Sequence, residues 1–197
     1  SSPGTSCWSA CRPRCFERDD IDALIQIGDI YRMQERFGKA IEIYGRAEEK
    51  LGGTVPAEFW RLYYVRGMSY EQSGQWKKAE AELKAALAIQ PDHPYVLNYL
   101  GYSWADRGEN LEQALEMIEK AVSLRPDDGY ITDSLGWVLY RLGNYHDAVP
   151  SLEQAVALMP YDPVINDHLG DAYWMVGRRL EARFQWRRAR NYCEDEK

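Results

Sequence analysis

The chain has 197 residues and a formal net charge of −7 at pH 7. This acidic balance argues against general nucleic-acid binding, and no apolar run approaches the roughly 18 residues that a membrane-spanning helix needs. No apolar segment follows the first residues, so we expect no signal peptide.

The first twenty residues, SSPGTSCWSACRPRCFERDD, differ from the rest of the chain. They place Cys7, Cys11 and Cys15 at C-x3-C-x3-C spacing, which one interpretation takes as a metal or redox site. Structural zinc sites need further ligands elsewhere, and the remaining cysteine, Cys193, lies at the opposite end. We therefore expect residues 1–20 to be a disordered leader, and we expect no metal and no cofactor.

From residue 21 onward, small residues recur at a fixed period. A glycine inside a helical pattern returns after 39, 34, 35 and 34 residues, at Gly28, Gly67, Gly101, Gly136 and Gly170. A second glycine follows seven residues later in four repeats: Gly74, Gly108, Gly143 and Gly177. Alanines follow about twelve residues after the first glycine: Ala40, Ala79, Ala114, Ala148 and Ala182. Such a period is typical of a repeat architecture.

Each repeat contains two apolar-periodic segments of helical length, separated by a turn, and no strand pattern occurs. In the fourth repeat, Ala148, Leu152 and Ala155 lie at spacings of three and four, which is one stripe of a helix. Asp162 before Pro163 and Asp92 before Pro94 are typical of helix starts. We therefore expect two helices in each repeat.

The repeats resemble the tetratricopeptide repeat, W-x2-L-G-x2-Y…A-x3-F…P. The fifth repeat contains this pattern as Asn166-x2-Leu169-Gly170-x2-Tyr173, followed by Ala182-x3-Trp186. The resemblance implies an all-α, right-handed superhelical solenoid of about five helix-turn-helix units. Their expected bounds are residues 21–54, 60–93, 94–128, 129–162 and 163–196, the last acting as a cap. It also implies closely crossing helices, which explains the mid-helix glycines because they lack a Cβ.

No catalytic constellation appears in the sequence. The three histidines, His93, His146 and His168, are dispersed, and no nucleophile with a base and an orienting group can be assembled from local motifs. We therefore expect a protein that is not an enzyme.

The resemblance implies that the first helix of each repeat lines a concave groove. The expected partner-binding residues are Tyr95, Asn98, Tyr99, Tyr102, Asp106, Tyr130, Asp133, Ser134, Trp137, Tyr140, Arg141, Asp167, His168, Asp171 and Trp174. The first two repeats add Gln26, Asp29, Arg32, Tyr64, Met68 and Glu71. Tyrosine and tryptophan dominate binding hot spots, which favours a recognition surface. Trp104 and Tyr173 occupy the family's own aromatic position and are expected to pack between helices.

Aspartates outnumber arginine at the predicted groove positions. Some proteins of the resembled family clamp a partner's terminal carboxylate with lysine and arginine, and this sequence lacks that set. A neutral or basic extended segment, or a helix with apolar anchors, fits better.

The last predicted helix, GRRLEARFQWRRAR, is strongly basic. One interpretation is a terminal cap, which needs a polar outer face. The other is a surface for an anionic partner, made of Arg179, Arg183, Arg187 and Arg188.

The second half of the chain is similar to the C-terminal repeats of longer proteobacterial tetratricopeptide proteins. Some of those relatives are envelope lipoproteins that act as adaptors and deliver substrates to a protease. We therefore expect a scaffold or adaptor that binds a protein or peptide in an aromatic-lined groove. The resemblance favours the bacterial envelope or periplasm, with the cytoplasm as the alternative. A self-associating homo-oligomer is the second interpretation, and nucleic-acid binding through the basic helix is the third.

Overall fold

The structure is a computed structural model that describes residues 12–195, with the backbone alone for residues 12–19, 194 and 195. This part of the chain is all-α, which confirms the predicted fold class. Its helices are α1 Arg12–Met33, α2 Phe37–Lys50, α3 Trp60–Gln72, α4 Trp76–Ile89, α5 Pro94–Arg107, α6 Leu111–Leu124, α7 Gly129–Arg141, α8 Tyr145–Leu158, α9 Pro163–Met175 and α10 Arg179–Asp195, with a short 3-10 helix at Ala57–Phe59.

Each odd-numbered helix packs against the even-numbered helix that follows it, across a short turn. In four of these pairs the turn contains a glycine with a positive φ of 70 to 83°. Glu35 takes this place in the turn between α1 and α2, with a φ of 57°. A left-handed backbone costs a residue with a Cβ about 1–2 kcal/mol. The second glycine predicted in four of the repeats therefore lies in the turn of its helix pair.

Both predicted helix starts are present in the structure, but only one has the expected cap. Asp162 caps α9, since its carboxylate accepts hydrogen bonds from the backbone N–H of Val164 and Ile165. Helix α5 begins at Pro94, but His93 is its N-cap and makes no side-chain capping bond. The helix start predicted at Asp92 and Pro94 is therefore present, but Asp92 does not cap it. Asp92 lies one residue too early, and its carboxylate pairs with Lys120 instead.

The described residues begin inside the predicted leader. Helix α1 starts at Arg12, so residues 12–20 have a helical backbone. Cys7 and Cys11 lie outside the described residues, and only the backbone of Cys15 is described. The predicted leader as a whole, and the interpretation of its cysteines, therefore remain predictions.

The chain divides into two compact units, residues 1–90 and residues 91–197. The core of the first unit contains Tyr44, Leu62 and Val65, buried between α1, α2 and α3. Arg66 is also buried, and its guanidinium binds Glu82 through two nitrogens, at 2.8 and 3.0 Å, and Glu48 at 2.6 Å. An ion triad thus connects α2, α3 and α4.

The second unit has its own apolar core. Leu152 and Val156 of α8 pack with Ile165 and Leu169 of α9 in one buried cluster. Trp104 and Tyr173, which were expected to lie between helices, are both buried. That expectation is confirmed.

Candidate functional site

A pocket of about 260 Å³ lies in the second unit, between the first helices of three successive repeats. Its lining residues come from α5, α7 and the start of α9: Asn98, Tyr99, Tyr102, Tyr130, Asp133, Ser134, Asp162, Val164 and Ile165. The residues of α5 and α7 in this set were predicted as groove residues. The three residues at the start of α9 were missed, because the prediction for the fifth repeat began only at Asp167, although Val164 precedes Gly170 by the same six residues that separate Tyr130 from Gly136.

Helix caps position two edges of the pocket. Asp128 accepts hydrogen bonds from the backbone N–H of Tyr130 and Ile131, at 3.1 and 3.2 Å, and so begins α7. Asp162 does the same for α9, at 2.9 and 3.0 Å. Since the cap fixes the first turn, Tyr130 and Val164 are held at the mouth of the pocket by local chemistry. The capping residue Asp162 was recognisable in the sequence, but its place in the pocket was not.

His168 and Asp133 form a buried pair between α9 and α7. His168 Nδ1 lies 3.0 Å from each carboxylate oxygen of Asp133. A carboxylate only accepts hydrogen bonds, so Nδ1 is the donor. The two residues are 7% and 5% exposed. Both were predicted on the open groove surface. His168 is instead buried against α7, whereas Asp133, although largely buried by this pairing, still lines the pocket.

Trp137 is part of an aromatic stack. Its ring lies 4.1 Å from the His168 ring and 5.0 Å from the Tyr140 ring, nearly parallel to both. The Arg141 guanidinium lies 5.7 Å from the Trp137 ring. Trp137 is only half-buried, but its Nε1 is buried and has no hydrogen-bond partner among the described residues. Trp137 therefore packs within its own repeats while it stays half-exposed, and its predicted part in partner binding remains a prediction.

The remaining predicted groove residues of this unit differ in their exposure and in their hydrogen bonds. Trp174 is 39% exposed, and Tyr95 and Asp106 are also exposed. Asp171 accepts a hydrogen bond from Trp186 Nε1 at 3.0 Å, and burial raises the pKa of Asp171. Arg141 donates to the backbone carbonyl of Asp106. Asp167 is exposed on α9.

The predicted groove residues of the first unit interact largely with their own chain. Asp29 accepts hydrogen bonds from the Tyr44 hydroxyl at 2.7 Å and from Arg61. Arg32 lies 3.7 Å from Asp29. Tyr64 stacks on a neighbouring ring, Met68 packs against the core, Glu71 is half-buried and Gln26 is exposed.

The four arginines of the predicted basic patch have different environments in the structure. Arg188 is half-buried and donates to the carbonyl of Pro160 at 2.7 Å, so it is not a free surface charge. The Arg179 guanidinium lies 5.0 Å from the Trp174 ring. Arg183 and Arg187 are exposed, and with Trp186 and Arg190 they line a separate cleft of about 340 Å³.

Among the side chains that the structure describes, those of residues 20–193, no group of three His, Cys, Asp or Glu could hold a metal ion. None of the described helices is long and apolar enough to cross a bilayer.

Two family models, both described as tetratricopeptide repeat, match residues 64–129 and residues 130–159. Residues 64–159 therefore consist of tetratricopeptide repeats. A tetratricopeptide repeat-containing protein of Pseudomonas aeruginosa is 42% identical over 87 residues, which are 44% of this chain and 15% of that protein. The chain thus matches only a small part of this longer relative.

Solved tetratricopeptide structures share the fold. MamA from MSR-1 has a TM-score of 0.67 and 18% identity, with 90% of this chain and 99% of that chain covered. A structure titled as the functional characterization of Pseudomonas aeruginosa PilF has a TM-score of 0.74 and 19% identity, with 89% and 78% covered. At these identities the similarity concerns the fold alone.

Proposed function

We propose that the chain is a non-enzymatic scaffold that binds an extended segment of a partner protein in the pocket between α5, α7 and α9. The tetratricopeptide fold is commonly a scaffold for protein–protein interaction. The observation that carries the finer proposal is the pocket itself, since the first helices of three successive repeats converge on it.

The lining of the pocket favours an apolar anchor on the ligand. Tyr99, Tyr102 and Tyr130 contribute aromatic rings, and Val164 and Ile165 add aliphatic surface. Tyr130 and Val164 are 56% and 52% exposed, so apolar surface at the mouth of the pocket faces solvent. Rigid aromatic walls of this kind bury large areas at a low entropy cost.

The charge of the pocket favours a neutral or basic segment. Its two ionisable acidic side chains are Asp133 and Asp162, and no arginine or lysine lines it. Both carboxylates are already hydrogen-bonded, to His168 and to the start of α9. A ligand carboxylate would therefore meet repulsion with no compensating cation.

The length of one relative supports a role for these repeats within a larger protein. The similar Pseudomonas aeruginosa protein is much longer than this chain, and its name describes repeats alone. We therefore propose that these repeats provide one recognition surface of a larger adaptor.

The proposal is tested by peptide display against the immobilised chain, after which the selected peptides are compared on the chain and on Val164→Arg. This substitution places a long charged side chain at the mouth of the pocket, on an exposed helix position. Selected peptides are then measured by fluorescence anisotropy. We expect apolar-anchored peptides without net negative charge, weakened about tenfold or more by Val164→Arg and Tyr130→Ala, as for hot-spot contacts.

Tyr161→Ala is the matched control. Tyr161 is an exposed tyrosine of the same unit, packs edge-on against Tyr192 and lies outside the pocket lining. We expect it to leave the affinity within about twofold, as for a residue outside a hot spot. Peptides that bind the parent and Val164→Arg equally would place recognition elsewhere on the chain.

Self-association is the second candidate function. Helix α1 exposes Ile27, Ile30 and Met33, three apolar side chains at spacings of three. Exposed apolar surface favours association with another protein surface. If a second copy covers it, sedimentation equilibrium will give a mass that rises with concentration, and Ile30→Glu will return it to the monomer mass. A constant mass would exclude this candidate.

A further inference from the structure

One face of α8 packs against α9, the next helix along the chain. Val149 and Val156 lie on this face, in the buried cluster that also contains Leu169 of α9. Between them, Glu153 accepts a hydrogen bond from the hydroxyl of Tyr173 in α9, at 2.7 Å. The three residues lie one, five and eight positions after the first alanine of α8. These offsets therefore mark the face on which a following helix docks.

Helix α10 has arginine at all three of these offsets. Counted from Ala182, they are Arg183, Arg187 and Arg190. All three are exposed, and with Trp186 they line the cleft of about 340 Å³. None of them has a hydrogen bond or ion pair with another described residue. The face of α8 that contacts α9 is largely apolar, whereas the equivalent face of α10 is cationic. We call Arg183, Trp186, Arg187 and Arg190 the basic face.

The neighbouring arginines, Arg178 and Arg188, differ from these three because each has a hydrogen-bond partner in its own chain. Arg178 binds Glu153 and Glu181, at 2.8 and 3.1 Å. Arg188 donates to the Pro160 carbonyl. Arginines that point toward their own repeats are therefore paired, whereas those on the basic face have no partner among the side chains of residues 20–193. Three neighbouring guanidinium groups repel one another, and a partner with carboxylates would relieve this repulsion.

We propose that the basic face docks an acidic helix of a partner protein, in the manner in which α9 docks on α8. Carboxylates spaced four and then three residues apart on that helix would match the spacing of Arg183, Arg187 and Arg190. Arginine binds carboxylates through two parallel hydrogen bonds, and the Trp186 ring adds an apolar contact. Nucleic acid is disfavoured because the chain as a whole carries a net charge of −7.

The test uses two fluorescein-labelled, alanine-based peptides of about 20 residues, long enough to form helix. One has its glutamates aligned on a single helix face at the proposed spacing. The other has the same composition with the glutamates distributed around the helix. Fluorescence anisotropy with the full chain should show at least about tenfold tighter binding of the aligned peptide, as expected for charge complementarity in register.

A charge-matched pair of variants locates the binding. The first combines Arg183→Ala, Arg187→Ala and Arg190→Ala, and should weaken the aligned peptide about tenfold or more. The second combines Arg36→Ala, Arg46→Ala and Arg107→Ala, which removes the same charge from other exposed positions. It should change the affinity by less than about twofold. Circular dichroism of both variants verifies that they are folded.

Three results would overturn the proposal: no binding of the aligned peptide, equal binding of both peptides, or an equal loss in both variants. A DNA duplex of about 20 base pairs is titrated in parallel. Tighter binding of the duplex than of the aligned peptide would likewise overturn it, in favour of a polyanion surface.

Discussion

Leu152 of α8 occupies the space in which a Cβ of Gly136 in α7 would lie. The same relationship recurs in every helix pair. In each pair, the repeat glycine faces the residue that lies four positions after the first alanine of the partner helix. These partners are Tyr44, Leu83, Ile118 and Trp186. A mid-helix glycine costs about 1 kcal/mol relative to alanine. The close helix crossing offsets this cost by packing a large side chain against the bare backbone.

Gly136→Ala should therefore lower the free energy of unfolding by about 1–3 kcal/mol, as for overpacking. Leu152 is fully buried, so it has little room to move, and the new Cβ would also lie 3.3 Å from the carbonyl oxygen of Ala148. Urea denaturation followed by circular dichroism measures the change.

Gly45→Ala is the matched control, because a Cβ at Gly45 in α2 meets no atom within 4 Å. It should raise the free energy of unfolding by about 0.5–1 kcal/mol. The same sign in both variants would contradict the crossing explanation.

Glu35→Gly should stabilise the chain. Glu35 has a φ of 57° at the turn position that is glycine in the other four helix pairs. Relief of the left-handed strain, about 1–2 kcal/mol, should exceed the added entropy of the unfolded chain, about 0.4–1 kcal/mol. Thermal denaturation should show a higher midpoint. Glu42→Gly, at an exposed position inside α2, should lower it, and a fall in both variants would contradict the prediction.

Arg66→Leu should lower the free energy of unfolding by about 3–5 kcal/mol at neutral pH, as for other broken buried ion pairs. The substitution restores the leucine found before the glycine in later repeats, but it leaves Glu82 and Glu48 without their cation. Burial already raises the pKa of Glu82, and loss of Arg66 should raise it further. The loss should therefore shrink as the pH falls and Glu82 becomes protonated.

A second variant separates charge from packing at this triad. Arg66→Leu combined with Glu82→Leu should regain most of the lost stability, because an apolar pair replaces buried charges. Urea denaturation at pH 5 and pH 8 compares the two variants. If the double variant is no more stable than Arg66→Leu, the loss comes from packing and not from unpaired carboxylates.

Tyr173 should titrate well above an ordinary tyrosine. Burial, and then its hydrogen bond to Glu153, raise the pKa of Tyr173 from 10.0 to about 12. The folded chain favours the neutral phenol, so this group's stabilisation is complete below pH 10 and is lost as the pH rises through 12. Tyr173→Phe should remove that dependence.

Glu153→Gln tests the cause. Without the negative charge, the pKa of Tyr173 should move down toward 10, and burial should keep part of the rise. Carbon-13 NMR of labelled tyrosine follows the titration, with Tyr173→Phe to assign the signal. An unchanged pKa would mean that burial alone raises it.

The candidate site was only partly predictable. Tyr99, Tyr102 and Tyr130 could be placed on the first helices of their repeats because the repeat glycine sets the register. His168 was predicted on the open surface but is buried, since an error of one residue rotates a helix position by about 100°. An error of that size moves a side chain from an open surface to a covered flank. The pairing of Arg188 with Pro160 was equally invisible, because it joins residues that are far apart in sequence.

The sequence by itself determined the all-α class, the order of the helix pairs and the points at which they cross. The small residues at a fixed period determine where the two helices of a pair come close together. The glycines between the helices determine where the chain turns back. The tertiary structure alone decided which polar and aromatic side chains stay exposed. That outcome depends on how far each helix overlaps the next, so it placed Trp137 in a stack, joined Asp133 to His168 and left Arg183 exposed.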